Sequence, residues 1–230
     1  SVDTADLSAS YSSATGVSNQ TRACFIGGHD GSVRNTIEYY TFAAAANTVD
    51  FGDVLANMYT GSACVSTTRG VFNYGFTSAP ARVNTINFIT LMTTGNSLDF
   101  GDLTTHRNGT GALSNATRGV WGGGETPSKI STVDRVDYSN DTATASPKGP
   151  LSLARTTISS TGTSSFGYFG GGETPSAKVT TIDRSDYSND TATSVEKGPL
   201  SVGRRFISAT GNRDFGYFGG GGNPAVAQYS

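Results

Sequence analysis

The sequence predicts an all-β fold made of repeats, and three observations support that prediction. A phrase with an anchoring aromatic residue returns about every 48 residues along the 230-residue chain. Each repeat contains several short runs of strand-forming residues, separated by polar turns that are rich in glycine. The first residues resemble the one strand that the last repeat lacks. Together these observations predict a five-bladed β-propeller with four antiparallel strands in each blade.

The aromatic anchors mark one blade each. They are Phe25, Phe72, Trp121, Phe169 and Phe218. The fourth repeat shows the whole pattern: residues 153–161 predict a small-residue inner strand, and residues 166–169 a second strand. Residues 181–187 alternate as a half-buried third strand does, and residues 191–197 predict the outer strand.

One domain over residues 1–230 follows, because a single repeat is too small to bury its own face. The fifth repeat stops at residues 227–230, the end of its third strand, whereas residues 2–7 read like a fourth strand. The N-terminal strand is therefore expected to close the last blade and to pair an edge that would otherwise be exposed. The predicted blades are residues 9–54, 55–103, 104–148, 152–197, and 202–230 together with 1–7.

Composition narrows the functional class. The net charge is −2, and no run of lysine or arginine exists, which argues against a nucleic-acid partner. No apolar stretch approaches the roughly 18 residues of a membrane helix, so we expect no membrane insertion. Charged residues make up 15% of the chain, and a surface with few charges and many hydroxyls suits an extracellular or virion location. Cys24 and Cys64 read as buried small hydrophobes, with a disulfide between neighbouring blades as the alternative.

The repeats resemble those of kelch proteins. In that family a di-glycine closes the second strand, a tyrosine follows, and an arginine opens the next inner strand. The matching residues are Gly171, Gly172, Tyr187 and Arg204 or Arg205, and likewise Gly123, Gly124, Tyr138 and Arg155, although the kelch tryptophan is replaced by threonine or alanine. Residues 115–119 and 99–103 are also similar to kelch-like repeats in tail and other virion proteins of marine bacteriophages. That resemblance implies a structural or host-recognition role on a particle.

Two sets of loops should share one face of such a ring and form its binding surface. They connect strand four to the next strand one, and strand two to strand three. The candidate ligand-binding residues on this face are Tyr59, Arg82, His106, Arg107, Arg155 and Arg204. Arginine and tyrosine are good recognition side chains, because one is a planar fork of donors and the other a flat amphipathic ring. The alternative is that the arginines cap blade carbonyls or pair with nearby aspartates.

Other polar residues predict structure rather than chemistry. Arg22, Arg69 and Arg118 repeat at the start of second strands on the opposite face, which indicates a structural task performed once per blade. His29 and His106 lie two blades apart and are expected to be surface residues, not metal ligands. The sequence contains no nucleophile elbow, phosphate loop or histidine and cysteine cluster, so we expect no catalytic residues and no cofactor.

The sequence therefore predicts a non-enzymatic virion protein, a tail or surface propeller of a bacteriophage. Its expected partners are a host surface glycan or receptor, or other virion subunits, and several copies could assemble within one particle. The alternative is a secreted carbohydrate-binding lectin, since a five-fold ring can carry one sugar site per blade. The face loops differ strongly between blades, which favours one asymmetric surface over five equivalent sites.

Overall fold

The first two blades are four-stranded antiparallel sheets in which each strand pairs with the next. The computed structural model describes residues 5–44, 46–78, 81–141, 144–212 and 214–222. Blade 1 contains β1 (Thr15–Ser18), β2 (Arg22–Ile26), β3 (Arg34–Thr41) and β4 (Val49–Tyr59). Blade 2 contains β5 (Ser62–Val65), β6 (Arg69–Asn73), β8 (Thr85–Thr90) and β9 (Leu98–Asp102), and the short β7 (Phe76–Thr77) pairs with the end of β4.

The next two blades repeat this order, and a fifth begins. Blade 3 contains β10 (Gly111–Ser114), β11 (Arg118–Gly122), β12 (Val133–Asp137) and β13 (Ser146–Lys148). Blade 4 contains β14 (Ser159–Gly162), β15 (Phe166–Gly170), β16 (Thr181–Asp186) and β17 (Val195–Pro199). The described part of blade 5 contains β18 (Ser208–Gly211) and β19 (Gly216–Gly219). The inner strands β1, β5, β10, β14 and β18 pack side by side in that order.

Aromatic anchors join each blade to the one before it. Phe72, Trp121 and Phe169 are fully buried, as expected for large apolar side chains at the centre of a packed joint. A Cβ added to Gly122 would lie 2.7 Å from the ring of Phe169, and one added to Gly170 would lie 2.6 Å from the ring of Phe218. Glycine is therefore required where the next blade's ring approaches the backbone this closely.

Three predicted strand boundaries differ from the structure, and the first two differ for a local reason. The inner strand expected over residues 153–161 begins only at Ser159, because Thr157 has a left-handed backbone with φ 54°. The outer strand expected over 191–197 begins at Val195, because the Asn189 side chain accepts backbone hydrogen bonds that hold a turn. In blade 1, β4 continues to Tyr59, beyond the expected end of that blade at residue 54.

The N-terminal segment lies where the end of a fourth strand lies in the other blades. Thr48 N–H donates to the Asp6 carbonyl at 3.0 Å. The same bond joins Ser97 to Asp53 at 2.8 Å and Ala145 to Asp102 at 2.7 Å. Residues 5–7 carry no strand pairing, and residues 1–4 lie outside the described residues. The expected third strand of blade 5 falls on residues 223–230, also outside them, so the count of five blades and the closure stay predictions.

Candidate functional site

A pair of residues repeats at one end of the blades, and we call this end the mouth. In each described blade, the residue three positions before the inner strand pairs through its backbone with the residue three positions after the second strand. The first members are Ser12, Tyr59, Asn108, Thr156 and Arg205, and their partners are His29, Phe76, Glu125, Glu173 and Gly222. The backbone frame thus repeats while the side chains differ in every blade. The mouth is therefore chemically asymmetric.

An aromatic and cationic cluster occupies the mouth at blade 2. Tyr59 and Phe76 stack with ring centroids 5.3 Å apart and an interplanar angle of 19°. The Arg82 guanidinium lies 5.2 Å from the centroid of Phe76, and the His29 ring lies 6.3 Å from that of Tyr59. All but the exposed His29 are half-buried. Flat rings beside a guanidinium offer both an apolar face and directed donors to a ligand.

Polar contacts continue from this cluster along the mouth. Arg82 Nε donates to Asn108 Oδ1 at 2.7 Å, and its guanidinium lies 3.4 Å from Glu125. In the next joint Lys129 Nζ lies 2.9 Å from Glu173, and Arg205 reaches the other oxygen of Glu173 at 2.5 Å. The hydrogen bond from Lys129, with the charges of Lys129 and Arg205, lowers the pKa of Glu173 against the opposing effect of burial. A cation from one blade thus meets a glutamate from a neighbouring blade.

Two candidate residues that were expected at the binding surface are buried instead. Arg107 and Arg155 are 0% exposed and pair with Asp134 at 3.0 Å and Asp183 at 2.9 Å. Arg155 also donates to the Phe169 carbonyl at 3.0 Å. Their guanidinium groups lie inside the blades, where they neutralise a buried carboxylate and cap a strand. The expectation that they face a ligand is corrected, and the alternative of carbonyl capping and aspartate pairing describes them.

The last two of the six candidate ligand-binding residues, Arg204 and His106, lie on the mouth face. Arg204 is part exposed and donates to the Gly220 carbonyl at 2.9 Å, which matches the capping task of Arg155. His106 is exposed beside the buried Arg107. Of the six candidate residues, the structure thus brings only Tyr59 and Arg82 together in one cluster.

A buried carboxylate on the third strand was missed by sequence reasoning. Glu38, Asp134 and Asp183 are almost fully buried at matching positions, and Asn87 takes the place in blade 2. Asp183 accepts hydrogen bonds from Ser152 N–H at 3.0 Å and from its hydroxyl at 2.6 Å. The recurrence of an acid one position after the apolar start of this strand was a readable signal. It indicates a structural pair rather than a catalytic one.

The opposite face carries the three repeated arginines, and each reaches the next blade. Arg22 donates to the Leu91 carbonyl at 3.4 Å, and Arg69 lies 2.6 Å from Asp141. Arg118 donates to the Tyr187 carbonyl at 2.5 Å. Arg22 and Arg69 also lie 4.5 Å over the rings of Tyr39 and Phe88. These contacts agree with the structural task inferred from the repetition.

A pocket of about 440 Å³ lies between the inner strands of blades 1–4. Small residues line it, among them Gly16, Ala63, Ala112 and Ser160. Cys24 and Cys64 are free and buried, as the first of the two sequence interpretations expected. Burial raises the pKa of Cys24 to about 11 and that of Cys64 to about 12, so both are neutral thiols at physiological pH.

The described residues contain no group of three or more histidine, cysteine, aspartate or glutamate side chains placed to hold a metal ion. They also contain no helix with the length and hydropathy that crossing a membrane requires.

Comparison with solved structures assigns the fold. The chain is all-β, and its four-stranded antiparallel sheets are consistent with the blades of a kelch-like β-propeller. It is similar to the structure of YjhT, a kelch-repeat β-propeller protein, with a TM-score of 0.73 and 12% sequence identity. The similarity covers 86% of this chain and 74% of that one, and at this identity it shows the fold alone. No family model and no curated protein matches the sequence.

Proposed function

We propose that this chain is a non-enzymatic binding propeller of a bacteriophage virion, which contacts a host surface glycan or receptor through the mouth. The observation that carries the proposal is the cluster of Tyr59, Phe76 and Arg82. It lies on a backbone frame that repeats around the ring, whereas its side chains occur together in blade 2. A scaffold that is regular in backbone and irregular in side chains at one face suits recognition of a single asymmetric ligand.

The chemistry of the cluster favours a carbohydrate over a purely apolar ligand. Two stacked rings offer a flat apolar surface, and the half-buried Arg82 offers planar donors at its edge. A sugar ring combines an apolar face with hydroxyl or carboxylate groups around its rim. Arg82 is already held by Asn108 at 2.7 Å, so little side-chain entropy is lost when a ligand binds.

The proposal includes a place and a class of partner. A virion or extracellular location agrees with a surface that has few charges and many hydroxyls. The resemblance of the repeats to kelch-like repeats in bacteriophage tail proteins supports the same location. Neighbouring virion subunits are the other partner of such a ring, and they would be expected to use a face other than the mouth.

The test is binding of the folded protein to an array of glycans that includes bacterial lipopolysaccharides and capsular polysaccharides. Arg82→Ala and Tyr59→Ala should each weaken a selective interaction about tenfold or more, since a central aromatic or arginine anchor carries much of a binding energy. Arg22→Ala is the matched control, because it removes an arginine stacked on an aromatic ring at the opposite face. It should leave the affinity unchanged.

The outcomes separate the alternatives. Selective binding that both mouth variants lose, and that Arg22→Ala retains, supports recognition by the mouth. Equal loss in Arg22→Ala would show that the variants act through folding instead. Several equivalent sugar sites per molecule, counted by calorimetry, would favour a secreted lectin over the virion proposal. A folded protein that binds no glycan would leave a role in contacts between virion subunits.

A further inference from the structure

A strained backbone position recurs at the mouth. It lies one residue after the first member of each mouth pair, which are Ser12, Tyr59, Asn108, Thr156 and Arg205. Ser13, Thr60, Thr157 and Phe206 have φ between 53° and 57°, and Gly109 has φ 67° at the matching place. This left-handed conformation is easy for glycine but unfavourable for residues with a Cβ, above all for large ones. The repeated frame therefore imposes the same backbone in every blade. The bulky Phe206 and the β-branched Thr60 and Thr157 are all poorly suited to it.

The side chain of Phe206 faces solvent. It is 66% exposed, although a phenylalanine is normally used to fill a core. Its neighbour Arg205 lies with its guanidinium 5.1 Å from the ring centroid, and Glu173 holds that guanidinium at 2.5 Å. Because the Phe206 backbone is strained and its ring is exposed to water, this residue contributes little to stability. Strain of this kind at a surface is typical of ligand-contacting positions.

We propose that Phe206 and Arg205 form a second ligand contact at the mouth, in which the ring of Phe206 stacks on the apolar face of a sugar. This inference rests on the proposed function and adds the size of the ligand. The first contact combines Tyr59 at the end of β4 with Arg82 of blade 2, and the second contact precedes β18 of blade 5, so the two contacts lie in different, non-adjacent blades. A ligand that engages both contacts is therefore a chain of several sugars, not a single monosaccharide.

Arg205 supplies the polar part of this contact. Its Nη1 is bonded to Glu173, and a guanidinium carries five N–H donors in a fixed plane, so donors remain for hydroxyl or carboxylate groups of the sugar. The ion pair with Glu173 also fixes the plane of the guanidinium beside the Phe206 ring. The two mouth contacts therefore share one pattern, in which an aromatic face lies next to a guanidinium. An acceptor from a neighbouring blade holds each guanidinium: Asn108 holds Arg82, and Glu173 holds Arg205.

The experiment measures stability and binding in the same variants. Phe206→Gly should raise Tm by about 2–4 °C, because it relieves the left-handed backbone. It should also weaken binding of a polysaccharide fragment of several repeats from the array hit about tenfold, while binding of its terminal monosaccharide stays unchanged. Thr157→Gly is the matched control, since its φ of 54° gives the same relief in blade 4. It should raise Tm without changing either affinity.

The outcomes distinguish this inference from the proposed function. If Tyr59→Ala loses binding and Phe206→Gly binds long and short fragments like the unaltered protein, the mouth binds sugar and the second contact is wrong. If Phe206→Gly lowers Tm and weakens both fragments equally, Phe206 supports the fold and the inference is overturned. A ring that binds no saccharide of any length overturns the inference together with its premise.

Discussion

Replacing Asp183 by alanine should destabilise the protein severely. The carboxylate is fully buried and accepts three hydrogen bonds, from Arg155, from Ser152 N–H and from the Ser152 hydroxyl. Removing one partner of a buried ion pair costs about 3–5 kcal/mol, because the other charge stays in the interior without compensation. The expected loss is therefore roughly 3–5 kcal/mol, a large part of the total stability of a domain.

A double variant tests the cause of that loss. Burial lowers the pKa of Arg155, and the charge and hydrogen bond of Asp183 oppose that shift. Arg155→Met in the Asp183→Ala background removes the uncompensated charge, so it should recover part of the lost stability. Urea unfolding followed by the fluorescence of Trp121, which is the only tryptophan and is fully buried, measures both variants.

Two results would refute this reasoning. A loss below about 1 kcal/mol in Asp183→Ala would show that the buried pair is not needed for stability. A double variant no more stable than the single one would show that the guanidinium is not the source of the cost. Asp186→Ala is the control on the same strand, because Asp186 bonds to the exposed Ser188 at the strand end, and it should leave the urea midpoint nearly unchanged.

Three further predictions concern thiol reactivity, acid stability and the joint between blades. The pKa of Cys64, raised by burial to about 12, should make its thiol unreactive towards Ellman's reagent until the protein is unfolded. Bonding to Lys129 lowers the folded-state pKa of Glu173 below 4.5, so the stability that the Glu173 carboxylate contributes is complete above about pH 4.5. That contribution is lost as the pH falls through the lowered pKa. Glu173→Gln should therefore flatten the acid limb of a Tm–pH profile. A Cβ at Gly149 would lie 1.9 Å from the Ala192 carbonyl oxygen, so Gly149→Ala should cost about 1–3 kcal/mol in urea unfolding.

Each of these predictions has its own control. Rapid labelling of Cys64 in the native state would contradict its burial. An acid limb that is equally steep in Glu173→Gln would assign the acid transition to other carboxylates. Glu38 is one of them: burial alone would raise its pKa, but hydrogen bonds from Ser8, Thr48 and Tyr11 lower it. Gly222→Ala should be neutral, since a Cβ there meets no atom within 4 Å in the described part of the chain. Equal losses at Gly149 and Gly222 would show that the close approach to Ala192 is unimportant.

The binding residues were predicted less well than the fold, and the arginines explain why. The spacing placed Arg82, Arg107 and Arg155 on the same face, but periodicity cannot tell whether a side chain points to the mouth or into the blade. Arg107 and Arg155 turn inward because an aspartate on the third strand of the same blade meets them. Arg82 stays at the mouth because its partners, Asn108 and Glu125, belong to the next blade.

By itself the sequence determined the repeat, the strand order within a blade and the aromatic residue that anchors each joint, since these depend on spacing and alternation along the chain. Only the tertiary structure decided which polar side chains meet between blades. Phe76 joined the site because β7 pairs with an extended β4, a contact between two repeats that has no signature in either. Likewise, the strain at Phe206 follows from a backbone position that recurs in the described blades, so its side chain alone could not reveal it.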